Sequence, residues 1–70
     1  MSYQSGDKVK WDWGQGTAEG TVDAVHTKSI TRSIKGSDVT RNGSDDDPAL
    51  EIKQDDGTKV LKLSSEVRKE

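Results

Sequence analysis

The amino-acid sequence predicts an all-β domain, a small antiparallel barrel of about five short strands with a short helical turn near its C-terminus. Three observations carry that expectation. Val9, Trp11 and Trp13 alternate with Lys8, Lys10 and Asp12, the period of two of a strand with one buried face. Asp56-Gly57 separates two further apolar runs, ALEIKQ and KVLKL, and is a strong hairpin signal because both central positions of a two-residue turn need positive φ. The remaining large apolar residues are few and fall between turn residues, which suits short connecting strands.

Taken from the N-terminus, residues 1–5 read as a frayed end in which Tyr3 either folds back as a lid on the core or stays loose. Gly6-Asp7 turns the chain into the first strand, and Gly14 and Gly16 supply the freedom for its reversal. On the returning strand Ala18, Gly20, Val22 and Ala24 share one face. Matching the apolar faces predicts Trp13 opposite Ala18, Trp11 opposite Gly20 and Val9 opposite Val22, so that bulky rings cover small residues. His26 then lies in phase with Val22 and Ala24. It reads as a partly buried spacer, since no nucleophile or orienting partner is marked near it.

Residues 29–47 form a loop-rich middle. Ile30, Ile34 and Val39 are its large apolar residues and fit neither period, which suggests a short strand, a turn at Gly36-Ser37 and another short strand at Val39 to Arg41. Asn42-Gly43-Ser44, three aspartates and Pro48 have the chemistry of a loop. The aspartates lack the alternating ligand pattern that ends in a distant glutamate, so no calcium site is expected. Centring the second hairpin on Asp56-Gly57 pairs Leu50 with Leu63, Ile52 with Leu61, Gln54 with Lys59 and Glu51 with Lys62. Pro48 suits the start of the strand, and Ser64 and Ser65 suit the cap of a short turn through Glu66, with Val67 closing one end of the core.

Composition bounds the function. With 70 residues there is room for one domain; 27% hydrophobic against 34% charged residues means a thin core and marginal stability. No cysteine and a single histidine leave no disulfide, structural zinc or other cofactor to expect. No apolar stretch is long enough for a membrane span or a secretory signal, which points to a cytoplasmic protein without membrane contact. The net charge of −2 lacks the basic excess of a nucleic-acid binder. Lys28, Arg32, Lys35 and Arg41, followed by Asp45 to Asp47, read as solvated loop.

The run GDKVKWDWGQGTAEGTV is similar to the opening of SH3-like and Tudor-like barrels. The chain as a whole resembles the hypervirulence-associated Tudor-like domain, a small bacterial and fungal family formerly described as a domain of unknown function. The resemblance rests on Gly6-Asp7-x-Val9-x-Trp11-x-Trp13-Gly14-x-Gly16, Lys35-Gly36, Val39-Thr40-Arg41-Asn42, Asp46-Asp47-Pro48-Ala49, and Val60-Leu61-Lys62 followed by Ser65-Glu66. It implies an SH3-like barrel in a stand-alone domain or small fusion, with no assigned chemistry. After Pro48-Ala49 this chain has Leu50-Glu51-Ile52 where the family pattern has an aromatic and a longer aliphatic run. The Tudor likeness raises methyl-lysine or methyl-arginine recognition, which needs several aromatic faces around the cation. Here Trp11, Trp13 and Tyr3 are the aromatics; the expected pairing makes Trp11 core and leaves Trp13 balanced between core and surface.

Few histidines, no cysteine and carboxylates gathered at turns argue against an enzyme. A monomeric protein- or peptide-binding module, using a sheet edge or polar groove, is the leading expectation, with RNA or DNA binding as the alternative. Candidate ligand-binding residues are Trp13, Arg41, Asn42, Asp47 and Lys62, the polar or aromatic members of the family-like motifs that core packing does not require. Arg41 suits a carboxylate or phosphate, and Asn42 offers a donor and an acceptor. The competing reading has Arg41 and Asp47 bridge each other and tie the loop to the barrel.

Overall fold

A computed structural model describes residues 3–70. The fold is all-β and barrel-like, with seven strands and one 3₁₀ turn among the described residues. Strands β1 (Lys8–Trp13), β2 (Gly16–His26), β5 (Ala49–Lys53), β6 (Lys59–Leu63) and β7 (Arg68–Lys69) make one sheet in the order β6-β5-β2-β1-β7. Strands β3 (Ser29–Ile34) and β4 (Ser37–Asn42) pair separately as a hairpin. The 3₁₀ turn, Ser64–Glu66, joins β6 to β7.

Gly14 and Gln15 alone connect β1 to β2, with positive φ at Gly14 (57°), the requirement of a type II′ turn. So short a loop moves the register two residues from the expected one: Trp11 lies opposite Ala18, Val9 opposite Gly20 and Trp13 opposite Gly16. A shift of two preserves the faces, so Val9 and Trp11 are buried as their alternation demands. Trp13 is carried past the last core layer. Gly20 is required by close approach, since a Cβ there would stand 2.6 Å from Ile52 Cγ2 and 2.7 Å from the Lys53 carbonyl oxygen.

A bulge between Val22 and Ala24 breaks the β2–β5 pairing. It changes the phase of the strand. Val22 and Val25 both pack on the main core, whereas His26 pairs with Ala49 on the opposite face and does not share the face of Val22. Its Nε2 stands 3.6 Å from Glu51 Oε1, the same oxygen that Arg32 pairs with.

The second hairpin departs from expectation by one residue. Gly57 takes φ 88° at the end of a tight turn in which its N–H donates to Gln54 O (2.9 Å), and Gln54 N–H donates to Thr58 O (2.8 Å). The loop is therefore longer than a two-residue turn, and Leu50 faces Lys62, Ile52 faces Val60, and Glu51 faces Leu61. The expected Glu51–Lys62 pair is absent from this ladder. The slip is tolerated because both faces of β5 and β6 are covered. Leu50 and Ile52 enter the main core with Tyr3, Val9, Trp11 and Val22, while Ala49 and Leu61 form a second cluster with Ile30, flanked by Ile34, Val39 and Leu63. Matching apolar residues across one face misreads a ribbon that is buried on two.

The β3–β4 hairpin supplies that second cover. Its turn is Lys35-Gly36, one residue before the expected position, with positive φ at both (52° and 80°), as type I′ requires. Beyond β6, Val67 packs against the main core, and the two residues of β7 pair with Val9 and Lys10. Tyr3 is buried as a lid, its hydroxyl 3.5 Å from Val67 O. Met1 and Ser2, the rest of the expected frayed end before Gln4, lie outside the described residues.

Candidate binding groove

The tips of the three hairpins meet at one end of the molecule around a groove of about 310 Å³. Trp11, Ala18 and Val60 line it with apolar surface, and Trp13, Lys35 and Lys62 supply its aromatic and cationic groups. Trp13 reaches it because the two-residue turn ends β1 there; it is 71% exposed and is the exposed large hydrophobic side chain among the described residues. Lys62 reaches it through the register of β6, which puts its side chain on the face of Leu50 and Val60. Lys35 comes from the β3–β4 tip. Among the described residues neither ammonium is within an ion pair.

Asp56, from the β5–β6 turn, also borders the groove. Its carboxylate accepts the Thr58 N–H (2.9 Å), and Thr58 holds its pKa below the usual carboxylate range. That bond serves the turn. The groove thus combines an open indole face, two lysine ammoniums outside ion-pair distance and the Asp56 carboxylate, whose charge Lys35 also favours.

The other three candidates sit elsewhere, around the 3₁₀ turn and the β3–β4 hairpin. Arg41 Nε donates to Glu66 Oε1 (3.0 Å) and its Nη1 to Thr40 O (3.1 Å). Partial burial opposes ionisation of Glu66, but the Leu63 N–H (2.8 Å) and Arg41 outweigh it and lower its pKa. Asp47 accepts the Ser64 hydroxyl (2.6 Å) and both the N–H and hydroxyl of Ser65 (2.8 Å each), and these bonds lower its pKa, the Ser64 hydroxyl foremost. Asn42 Oδ1 accepts the Ser29 hydroxyl (2.9 Å) across the hairpin. Arg41 and Asp47 therefore each tie a preceding segment to the 3₁₀ turn, and no ion pair joins them to each other among the described residues.

Of the five candidates, then, Trp13 and Lys62 share the groove, and Arg41, Asn42 and Asp47 do not line it. Lys35 and Asp56 join it unannounced. Lys35-Gly36 and Asp56-Gly57 mark turns in the sequence, but the convergence of their tips is set by tertiary packing. Tyr3 does not line the groove and Trp11, 3% exposed, presents little of its ring to it, so Trp13 is the one open aromatic face there and no cage of several aromatic faces for a methylated cation is formed among the described residues. A second cavity, of about 100 Å³, lies beneath β3 and is bordered by Arg32, Glu51 and Leu61.

Fold and groove together define a small barrel-like all-β domain with a single exposed tryptophan between hairpin tips. Residues 6–67 match the family model described as the hypervirulence associated proteins TUDOR domain, and the chain belongs to that family. No curated protein and no solved structure matches the chain. No helix is long and apolar enough to cross a membrane among the described residues.

Proposed function

We propose that the chain is a non-enzymatic binding module that receives a protein or peptide segment at the Trp13 groove. Membership of a Tudor-like family supports the general role, and the exposure of Trp13 supports the place. A tryptophan carries a large apolar face and one N–H donor, and such residues dominate the energetics of recognition when a partner covers them. In this reading Trp13 and Lys62 contact the partner, while Arg41, Asn42 and Asp47 hold the frame that positions β4 and the 3₁₀ turn. The lack of cysteine suits a reducing compartment such as the cytoplasm.

Selection of a displayed random-peptide library on the domain, with Trp13→Ala as the counter-target, tests the proposal. Enriched sequences should bind the natural chain and lose at least about ten-fold in affinity on Trp13→Ala. The substitution should change unfolding stability by no more than about 0.5 kcal/mol, since the side chain is outside the core. Peptides that bind both proteins equally would contradict the reading, as would an oligonucleotide that competes with none of them yet binds tightly.

A further inference from the structure

We propose that Asn42-Gly43 is a self-modification site, at which the asparagine converts to aspartate and isoaspartate when the open end of the β3–β4 hairpin parts. No residue of the Trp13 groove takes part. An asparagine side chain carries a carbonyl carbon, Cγ, that the backbone nitrogen of the next residue reaches by closing a five-membered ring. Glycine leaves that nitrogen unhindered, because it has no Cβ to crowd the approach. Asn42 is exposed and Gly43 follows it at the exit of β4. Having lost its proton, the Gly43 nitrogen attacks Asn42 Cγ; the new N–Cγ bond forms as the side-chain nitrogen takes up a proton and leaves as ammonia. Water then opens the ring. Entry at Cγ restores the ordinary chain with aspartate at this position, and entry at the backbone carbonyl carbon leaves isoaspartate, whose chain runs on through Cγ. The net change exchanges an amide for a carboxylate, and nothing is oxidised or reduced.

Packing holds glycine at this position. A Cβ on Gly43 would stand 2.5 Å from His26 O, 2.8 Å from Ala49 N and 2.9 Å from Lys28 O. All three are backbone atoms that cannot swing aside, so the fold has no room for a larger residue that would slow the ring closure. The reactive pair is therefore built into the place where the end of β2 and the starts of β3 and β5 come together.

The closed hairpin withholds both reacting atoms. Gly43 N–H donates to Lys28 O (3.2 Å), so the nitrogen keeps its proton and its direction. The Ser29 hydroxyl donates to Asn42 Oδ1 (2.9 Å) and pins the carboxamide to the facing strand. These are neutral bonds at a strand end, and the longer lies at the limit of its class. Such an end opens at a smaller cost than global unfolding, which makes its opening the route to reaction. The product does not resume the same packing. Isoaspartate lengthens the backbone where Gly43 has no room, and either product adds a carboxylate to the loop of Asp45, Asp46 and Asp47. Modification thus loosens the end of β4 beside Arg41, which holds Glu66 (3.0 Å).

The test is peptide mapping by mass spectrometry of the full chain, held at physiological temperature and mildly alkaline pH in water enriched in heavy oxygen, beside a free peptide of residues 39–46. Aspartate and isoaspartate should appear at Asn42, each carrying an oxygen from the solvent. The folded chain should react at least about ten-fold more slowly than the peptide, and the slowing should match the hydrogen-exchange protection of the Gly43 amide, since both need the same opening. Ser29→Ala, which removes one of the two bonds, should speed the folded chain by about two- to ten-fold and react like the natural chain in unfolding urea. The isoaspartate form, separated by ion exchange, should show displaced amide resonances at Gly43, Ser44 and Ala49. A folded chain that converts as fast as the peptide would overturn the gating by the hairpin, as would a Ser29→Ala variant that converts no faster than the natural chain. No conversion at Asn42 even in urea would remove the site altogether, and an isoaspartate form with the natural spectrum would contradict the loosening of β4.

Discussion

Asp47 is the clearest case of a polar residue whose work is structural. Its three bonds to Ser64 and Ser65 favour the carboxylate, so its folded pKa lies below that of the unfolded chain. The stabilisation is present above the unfolded aspartate value, about pH 4, and is lost as pH falls through the lowered folded value. Asp47→Asn should accordingly lower the urea midpoint at neutral pH, with the gap starting to narrow below about pH 4 and closing as pH falls through the lowered folded value. A gap that stays constant to strongly acid pH would contradict this assignment. The family-like motif singles out Asp47 in the sequence as a candidate, but its partners are set by the position of the 3₁₀ turn, which the sequence does not place against it. Trp13 was ambiguous for a related reason: its place in or out of the core depends on the number of residues in the turn, which alternation does not count.

The hairpins are where sequence and structure agree on identity and differ on register. The alternation of KVKWDW and the positive-φ chemistry of Gly14 and Gly57 mark the elements correctly. Register depends on which turn those glycines adopt, and in β5–β6 also on the hidden burial of the second face by β3–β4. The Asp23 bulge and the two-residue β7 have no periodic signal. Lys35→Asn should raise stability by about 0.5–1 kcal/mol by relieving positive φ at a non-glycine residue, read as a higher denaturant midpoint; an unchanged or lower midpoint would exclude strain there. Gly20→Ala should cost about 1–3 kcal/mol, because its methyl would press on Ile52 and on the Lys53 backbone, and a neutral result would mean β2 and β5 do not approach so closely.

At the scale of the molecule, 70 residues enclose two small apolar clusters, one inside the curved sheet and one beneath the β3–β4 hairpin. The radius of gyration, 11.2 Å, equals the value of about 11 Å expected for a folded chain of this length. With so thin a core a single deletion is a large fraction of the whole. Leu50→Ala, at a fully buried position, should cost about 2–5 kcal/mol and leave much of the protein unfolded at 37 °C, checked by loss of chemical-shift dispersion. Trp13→Ala should leave that dispersion intact, since the indole contributes to the groove and not to either cluster.

In the proposed function, stability and recognition rest on different residues. The test is to follow the indole N–H resonances of Trp11 and Trp13 while a library-selected peptide is added. The Trp13 resonance should move in proportion to occupancy and the larger backbone shifts should follow the groove to Lys35 and Lys62. Saturating binding that leaves the Trp13 resonance in place and instead perturbs Arg41, Asn42 and Asp47 would contradict the account and transfer the site to the 3₁₀ turn.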